Sequence, residues 1–537
     1  MAKNASVQTV AIVFSFWRYA VENPAFFGVW NKLLEGDQSY KIKNGMQSGR
    51  CTRNGVARMV PCHKSFERIQ FTHCFQAVLT VFSNSSHNTL MPFSQSAIML
   101  RCLRAKISGR HMLMLSAVVT GVIVGLCAFI LKRLIGGVSH LLTDYFNPDS
   151  FNLTILIWPL VGILLTGIYQ RYILRHEIYH GVDRLGMAIN KRHYNLPFYL
   201  CYAPILASTL TLGFGGSAGS EGPIAYTGAA IGSNIGRKLR LDSRGMRFII
   251  ACGAAAGIAG IFKAPVGGAL FAIEVLSIEL SVPAILAIFV ASIASWLMAF
   301  VCSGCTIDLA FHHMESLDGS LLPWVILLGV FCGLYSIYYS AVMHRMVCLY
   351  GNMKNPWIKN ILSGSIVAVC VFLFPPLWGE GYGFIAEVLN GKASMITGYS
   401  LFSSMHDGQT LFIILAAAIM LVKPFATSSS NSGGGVAGDF APTLFAGCIT
   451  GYLFAAASNA FCGTHLPVGD FALMGMGAVM AGALRAPLMA IFLAIEMSGA
   501  YLLMLPVVLT AAISYVMVHL PHDMSRLVWF YRNRQQP

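Results

Sequence analysis

Two motifs occur twice in this chain, in the same order, and that repetition limits the possible fold more than any other feature. Gly219-Ser220-Glu221-Gly222-Pro223 returns as Gly438-Asp439-Phe440-Ala441-Pro442, and Gly228 and Gly232 after the first Pro are matched by Gly447 and Gly451. Further on, Phe262-Lys263-Ala264-Pro265 and Phe271-Ala272-Ile273-Glu274 return as Leu484-Arg485-Ala486-Pro487 and Leu493-Ala494-Ile495-Glu496. The Glu follows the Pro by nine residues in both copies, and the two blocks are offset by 219 and 222 residues. Shared order and spacing in two separate places imply two homologous halves, 112–310 and 320–521.

The halves belong in a membrane. The chain is 56% hydrophobic and only 11% charged, with mean hydropathy +0.65, against about 25% charge in an average soluble domain. Crossing a hydrocarbon layer of ~30 Å takes about 20 apolar residues. Leu113–Ile135, Thr154–Leu174, Val282–Cys302 and Leu503–Leu520 qualify. Gly213–Ile235 and Gly433–Phe454 are shorter apolar runs broken by Gly and Pro, the pattern of helices that end inside the bilayer. Duplicated halves of this kind meet at a pseudo-two-fold axis, with the ligand site where the broken helices face each other.

Most of the net charge of +14 precedes the first span, where 14 Lys/Arg stand against 4 Asp/Glu. A basic flank of this kind marks the cytoplasmic side of a membrane protein, and no nucleic-acid partner is expected. Residues 1–111 show no sustained period and no clean signal peptide, and Val10–Trp17 is too short to span. They read as a basic, poorly structured extension, or as sequence upstream of a true start at Met91 or Met112. Residues 522–537 form a short basic tail.

Both copies of the first block read as a Gly-rich loop entering a helix, with Pro tolerated in the first turn. Helix N-termini present unpaired N–H groups and about half a positive charge, so two of them converging at mid-membrane would hold an anion without Lys or Arg. Such a site binds weakly enough to release the ion. Gly219, Ser220, Gly222 and Pro223 in one copy, and Gly438, Asp439, Phe440, Ala441 and Pro442 in the other, are the candidate anion-binding residues. Gly213–Gly222 and Gly433-Gly434-Gly435 would supply close backbone approach and positive φ. Glu221 is an intramembrane carboxylate and the candidate gate, a tethered competitor that leaves on protonation or displacement. Asp439 either caps the helix beginning near Pro442 or faces the aqueous vestibule, and the cap is the expectation. Glu274 and Glu496 fall near the far ends of short helices and read as mainly structural or interfacial.

At these residues the chain resembles the CLC family of chloride channels and chloride/proton antiporters, over about residues 110–520. Gly219-Ser220-Glu221-Gly222-Pro223 is similar to the family's gating motif G-[KR]-E-G-P, with Ser for the basic residue; Gly438-Asp439-Phe440-Ala441-Pro442 matches its G-x-F-x-P motif. The resemblance implies an all-α polytopic fold of about eighteen helices, unequal and tilted, in an inverted repeat, and a homodimer with one pore per subunit. It also implies chloride held by backbone amides around Asp439 and Phe440, with Glu221 as the gate. Three departures stand out. Tyr179-His180-Gly181-Val182-Asp183 replaces the family's G-S-G-I-P loop, putting His180 where the anion-coordinating Ser would be. Val275 stands where antiporters carry an internal proton-transfer Glu, so that position in the proton path is lost. The C-terminal chloride-coordinating Tyr has no clear match, Tyr515 and Tyr531 both being poorly placed.

The resulting expectation is a chloride channel with a glutamate-gated pore in each subunit, in a prokaryotic inner (cell) membrane and of the compact form that lacks paired nucleotide-sensing domains. Chloride/proton antiport and, behind it, fluoride export remain alternatives. A membrane-embedded enzyme would need clustered nucleophiles, bases or metal ligands. The dense His pairs, His312-His313 and His519 with His522, lack such company apart from Asp523, and Cys302-x-x-Cys305 lacks partner ligands. No metal and no cofactor are expected.

Overall fold

The computed structural model describes residues 109–144, 153–176, 178, 185–186, 194–278, 281–304, 309, 311, 319–391 and 409–534, with side chains between 111 and 519. The expectations for residues 1–108, for His180, His312 and His313, and for the side chains of the basic tail lie outside the described residues.

Fifteen α-helices and no strand occur among the described residues. The first half comprises α1 (Gly109–Thr143), α2 (Trp158–Ile168, continuing as a π-turn to Leu174), α3 (Ala203–Gly213), α4 (Glu221–Lys238), α5 (Ser243–Phe262), α6 (Pro265–Glu274) and α7 (Val282–Cys302). The second comprises α8 (Leu322–Gly351), α9 (Pro356–Leu373), a short α10 (Tyr382–Leu389), α11 (Gln409–Ser432), α12 (Phe440–Cys462), α13 (Val468–Leu484), α14 (Pro487–Ser498) and α15 (Met504–Arg534). Nine of the described helical segments are long and apolar enough to cross a membrane, including the four spans read from sequence. The two interrupted runs are breaks between helices, one between α3 and α4 and the other between α11 and α12.

Each break has a local cause. Gly215 at φ +92° and its repeat partner Gly434 at +116° turn the chain where a side chain would be strained. Lys263 and Arg485, also repeat partners, end α5 and α13 in the left-handed conformation at +55° and +57°, and the Pro two residues later opens α6 and α14.

Packing follows the same symmetry. Helix α4 lies on α5 as α12 lies on α13, and α1 meets α5 and α7 as α8 meets α13 and α15. Across the halves α6 packs on its own counterpart α14, and α2 on α9. The spans of α5 and α12 are 89% and 83% buried, whereas α15 is 28% buried, so the helices that follow the motifs are shielded by an outer ring. Leu286, Leu297, Val301, Leu502 and Leu505 lie exposed on that ring, as a lipid-facing surface requires. Close approach inside it depends on Gly228 against Gly253 and, in the second half, Gly447 against Gly475. A methyl group on any of the four would collide with the partner's carbonyl.

The axis can be located to a residue pair. Gly219 N–H donates to Gly438 O at 2.9 Å and Gly438 N–H to Gly219 O at 2.6 Å, an antiparallel bridge between two residues in the same position of each repeat. Two outer pairs repeat the exchange: Ser217 N–H to Ser430 Oγ at 3.0 Å, and Val436 N–H to Thr211 Oγ1 at 2.9 Å. The molecule is an integral, multi-pass inverted repeat whose two-fold axis passes between the two glycines.

Candidate anion site

Glu221 is the first residue of α4 and is completely buried. Its Oε1 accepts the Ala441 N–H at 2.9 Å and the Tyr382 hydroxyl at 3.3 Å, while nothing among the described residues donates to Oε2. The carboxylate of one repeat therefore sits on the second residue of α12, the helix that the other repeat's copy of the motif opens. Space for it exists because Gly219 and Gly438 lack side chains. A Cβ on Gly219 would overlap the carboxylate, and one on Gly438 would come within 2.9 Å of Oε2 and 2.7 Å of Gly222 N.

The motif residues gather as the sequence suggests. Gly219, Ser220, Gly222 and Pro223 lead into and open α4; Gly438, Asp439, Phe440, Ala441 and Pro442 do the same for α12, and each Pro is the third helical residue. Phe440 is buried edge-on against Phe271 of α6, ring centroids 5.7 Å apart.

The expected cap by Asp439 is corrected. Asp439 occupies the N-cap position, but its side chain makes no capping bond; the carboxylate is turned to the side-chain amide of Asn431 at the end of α11. That rotation leaves the Ala441 amide to Glu221.

Glu274 and Glu496 lie away from this site and form a reciprocal clasp. Glu496 accepts Val266 N–H at 3.1 Å and Gly267 N–H at 2.9 Å at the start of α6. Glu274 accepts Leu488 N–H at 3.3 Å and Met489 N–H at 2.9 Å at the start of α14. Each thus satisfies orphan amides of the other repeat, where the positive end of the helix favours a carboxylate. Val275 is the C-cap of α6, and an apolar side chain there carries no proton. Tyr515 lies in α15 stacked on His519, ring centroids 4.1 Å apart, which accounts for one member of that His pair as packing.

Three site residues escaped the sequence reading. Tyr382 holds Glu221, as above. Glu380 accepts the Ser220 N–H at 3.0 Å and the Ser220 hydroxyl as well. Lys423 in α11 is the one Lys or Arg that is fully buried among the described residues. Its Nζ donates to Ser217 Oγ at 2.9 Å, lies 4.5 Å from the Phe445 ring centroid, and is close enough to Glu221 to feel its charge. A lone cation in an apolar run is a functional signal in a membrane helix, and Leu411–Phe425 contains one. Glu380 and Tyr382 lie outside both repeated blocks, so comparing the chain with itself does not expose them.

The arrangement can do one kind of chemistry. Amides at the start of α12, a helix dipole and a nearby ammonium favour a negative charge at the axis, and a tethered carboxylate already takes that place.

Comparison with known proteins agrees. The voltage gated chloride channel family matches residues 161–519. A putative chloride channel protein ClcB-like of Ralstonia nicotianae is 28% identical over 370 residues, covering 68% of this chain and 82% of that protein. The H(+)/Cl(-) exchange transporter ClcA of Citrobacter koseri is 27% identical over 413 residues, 74% of this chain and 83% of that one. Among solved structures, a slow cyanobacterial Cl-/H+ antiporter superimposes with TM-score 0.65 at 20% identity, covering 80% of this chain and all of that one. A CLC-type fluoride/proton antiporter does so with TM-score 0.59 at 23% identity, covering 75% and 94%. Fold, repeat and family match point the same way: this chain belongs to the voltage-gated chloride channel family, the CLC family, and is a membrane protein of anion transport.

Proposed function

We propose that the chain is a chloride channel: it conducts chloride passively through a pore that Glu221 closes. The observation that carries this reading is the Glu221 carboxylate on the Ala441 amide, at the axis between two repeat-related helix starts. A carboxylate and a chloride ion use the same donors, so the side chain and the ion compete. Protonation weakens the carboxylate's bond to the amide, because hydrogen bonds to charged acceptors are roughly twice as strong as neutral ones. Lys423 places a buried amine near the axis, its Nζ 4.5 Å from the Phe445 ring centroid. From the family resemblance we take the protein to be a homodimer in a prokaryotic cell membrane, one pore per subunit.

Chloride/proton exchange is the second reading, supported by the names of the ClcA relative and the cyanobacterial neighbour. Val275 favours the channel, since the position offers no proton carrier. The two are separated by reconstituting the protein in liposomes under a chloride gradient with external pH recorded. A channel dissipates chloride with no proton movement; uphill proton movement would establish exchange and place the internal proton carrier elsewhere than residue 275. Fluoride export has no positive feature in this site.

A further inference from the structure

The two helix starts at the axis are both occupied by carboxylates, and only one of them belongs to the gating motif. Glu221 sits on Ala441 at the start of α12. Glu380 sits on Ser220, the N-cap of α4 and the repeat partner of Asp439. The Ser220 hydroxyl makes no capping bond to its own helix; it and the Ser220 N–H both donate to Glu380 Oε1. Ser220 is fully buried, so these donors face no bulk water. Gly379 and Gly381, at φ +65° and +81°, place Glu380 at the tip of a tight turn, and two residues further Tyr382 reaches Glu221. One short segment at the start of α10 therefore contacts the start of α4 twice, once at Ser220 and once at the Glu221 carboxylate that sits on α12.

We propose that Glu380 is a second gating carboxylate, holding the anion position at the start of α4 as Glu221 holds that at the start of α12. An ion crossing the axis must then displace or outlast two tethered carboxylates rather than one. This rests on the reading of Glu221 as the gate of an anion pore. The ionisable groups around the pair are Lys132 of α1, 5.0 Å over the Tyr382 ring, Tyr382 itself, Lys423 of α11 and Asp439 before α12. Protonation weakens the hold of each carboxylate on the donors it occupies, so acid opens the path by neutralising both.

The test is chloride efflux from liposomes at neutral and at acid pH, for the parent, Glu380→Gln and Glu380→Ala, each with and without Glu221→Ala. Gating by Glu380 predicts that Glu380→Gln raises efflux at neutral pH by roughly five- to tenfold, the difference between a charged and a neutral acceptor. It also predicts that Glu221→Ala alone keeps some acid stimulation and that adding Glu380→Gln abolishes it. A purely structural cap predicts the reverse: Glu380→Gln equal to the parent, and Glu380→Ala slower with a lower melting temperature in detergent. That result, or equal efflux in all variants, overturns the proposal. Where Glu380→Ala fails to hold the fold, Glu380→Gln decides. If neither the parent nor Glu221→Ala passes chloride at any pH, the anion-pore reading itself fails.

Discussion

At the scale of single residues the site is set by which atom takes the Ala441 amide. Asp439, the residue immediately before that helix, is turned to Asn431, and Glu221 from the opposite repeat takes the amide instead. Its charge and not its bulk should therefore control flux. Glu221→Gln, which keeps the shape, is expected to raise chloride flux at neutral pH and to flatten its rise with acid; an unchanged profile would show that another group titrates. The sign follows from the geometry: the ionised form holds the amide and blocks, so flux increases as pH falls until Glu221 is neutral. Lys423→Met removes the one fully buried cation among the described residues and should lower chloride flux about tenfold, the factor worth ~1.4 kcal/mol. Flux equal to the parent would make that ammonium a packing element. Glu221 was legible because it is an intramembrane carboxylate within a motif whose Gly and Pro recur in the second half, where Phe440 holds its place. Lys423 was legible in principle as a charge within an apolar run. Glu380 and Tyr382 were not, because nothing in the order of residues says that the turn before α10 and the first residue of α10 fold back onto the axis.

At the scale of helices, the same physics appears twice, once for transport and once for stability. The starts of α6 and α14 are sealed by Glu496 and Glu274, whose prolines and spacing made the helices visible in sequence. The exchange between repeats was hidden, since sequence places each Glu only at the far end of its own helix. Removing either carboxylate strands two backbone N–H groups at a cost of about 1–3 kcal/mol each. Glu496→Ala and Glu274→Ala should thus lower the melting temperature in detergent by similar amounts, with Glu496→Gln milder. Indifference to both would mean that water replaces the carboxylates. The glycine bridge behaves differently. Gly438→Ala would push a methyl group to 2.7 Å from Gly222 N and 2.9 Å from Glu221 Oε2, so it should cost about 1–3 kcal/mol and also displace the gate. A variant with parent stability and parent flux would rule out so tight an axis.

At the scale of the whole molecule, the repeat read from two short motifs proved to be the organising symmetry, down to a bridge between its equivalent glycines. It was legible because the constraints at the axis and at the clasp permit few residue types, so Gly, Pro and Glu survive at fixed spacing in both halves. What lay outside the duplicated blocks, such as α10 and the turn before it, has no second copy to reveal it. The symmetry explains why one carboxylate can reach the opposite helix start, and hence why transport is expected to depend on it. The most direct measurement is chloride flux from liposomes holding the purified parent beside Glu221→Ala at neutral pH. The gate account predicts faster flux in Glu221→Ala, with little further acceleration by acid beyond what Glu380 contributes. Flux that is unchanged or lost in Glu221→Ala, with the protein still folded, would contradict it.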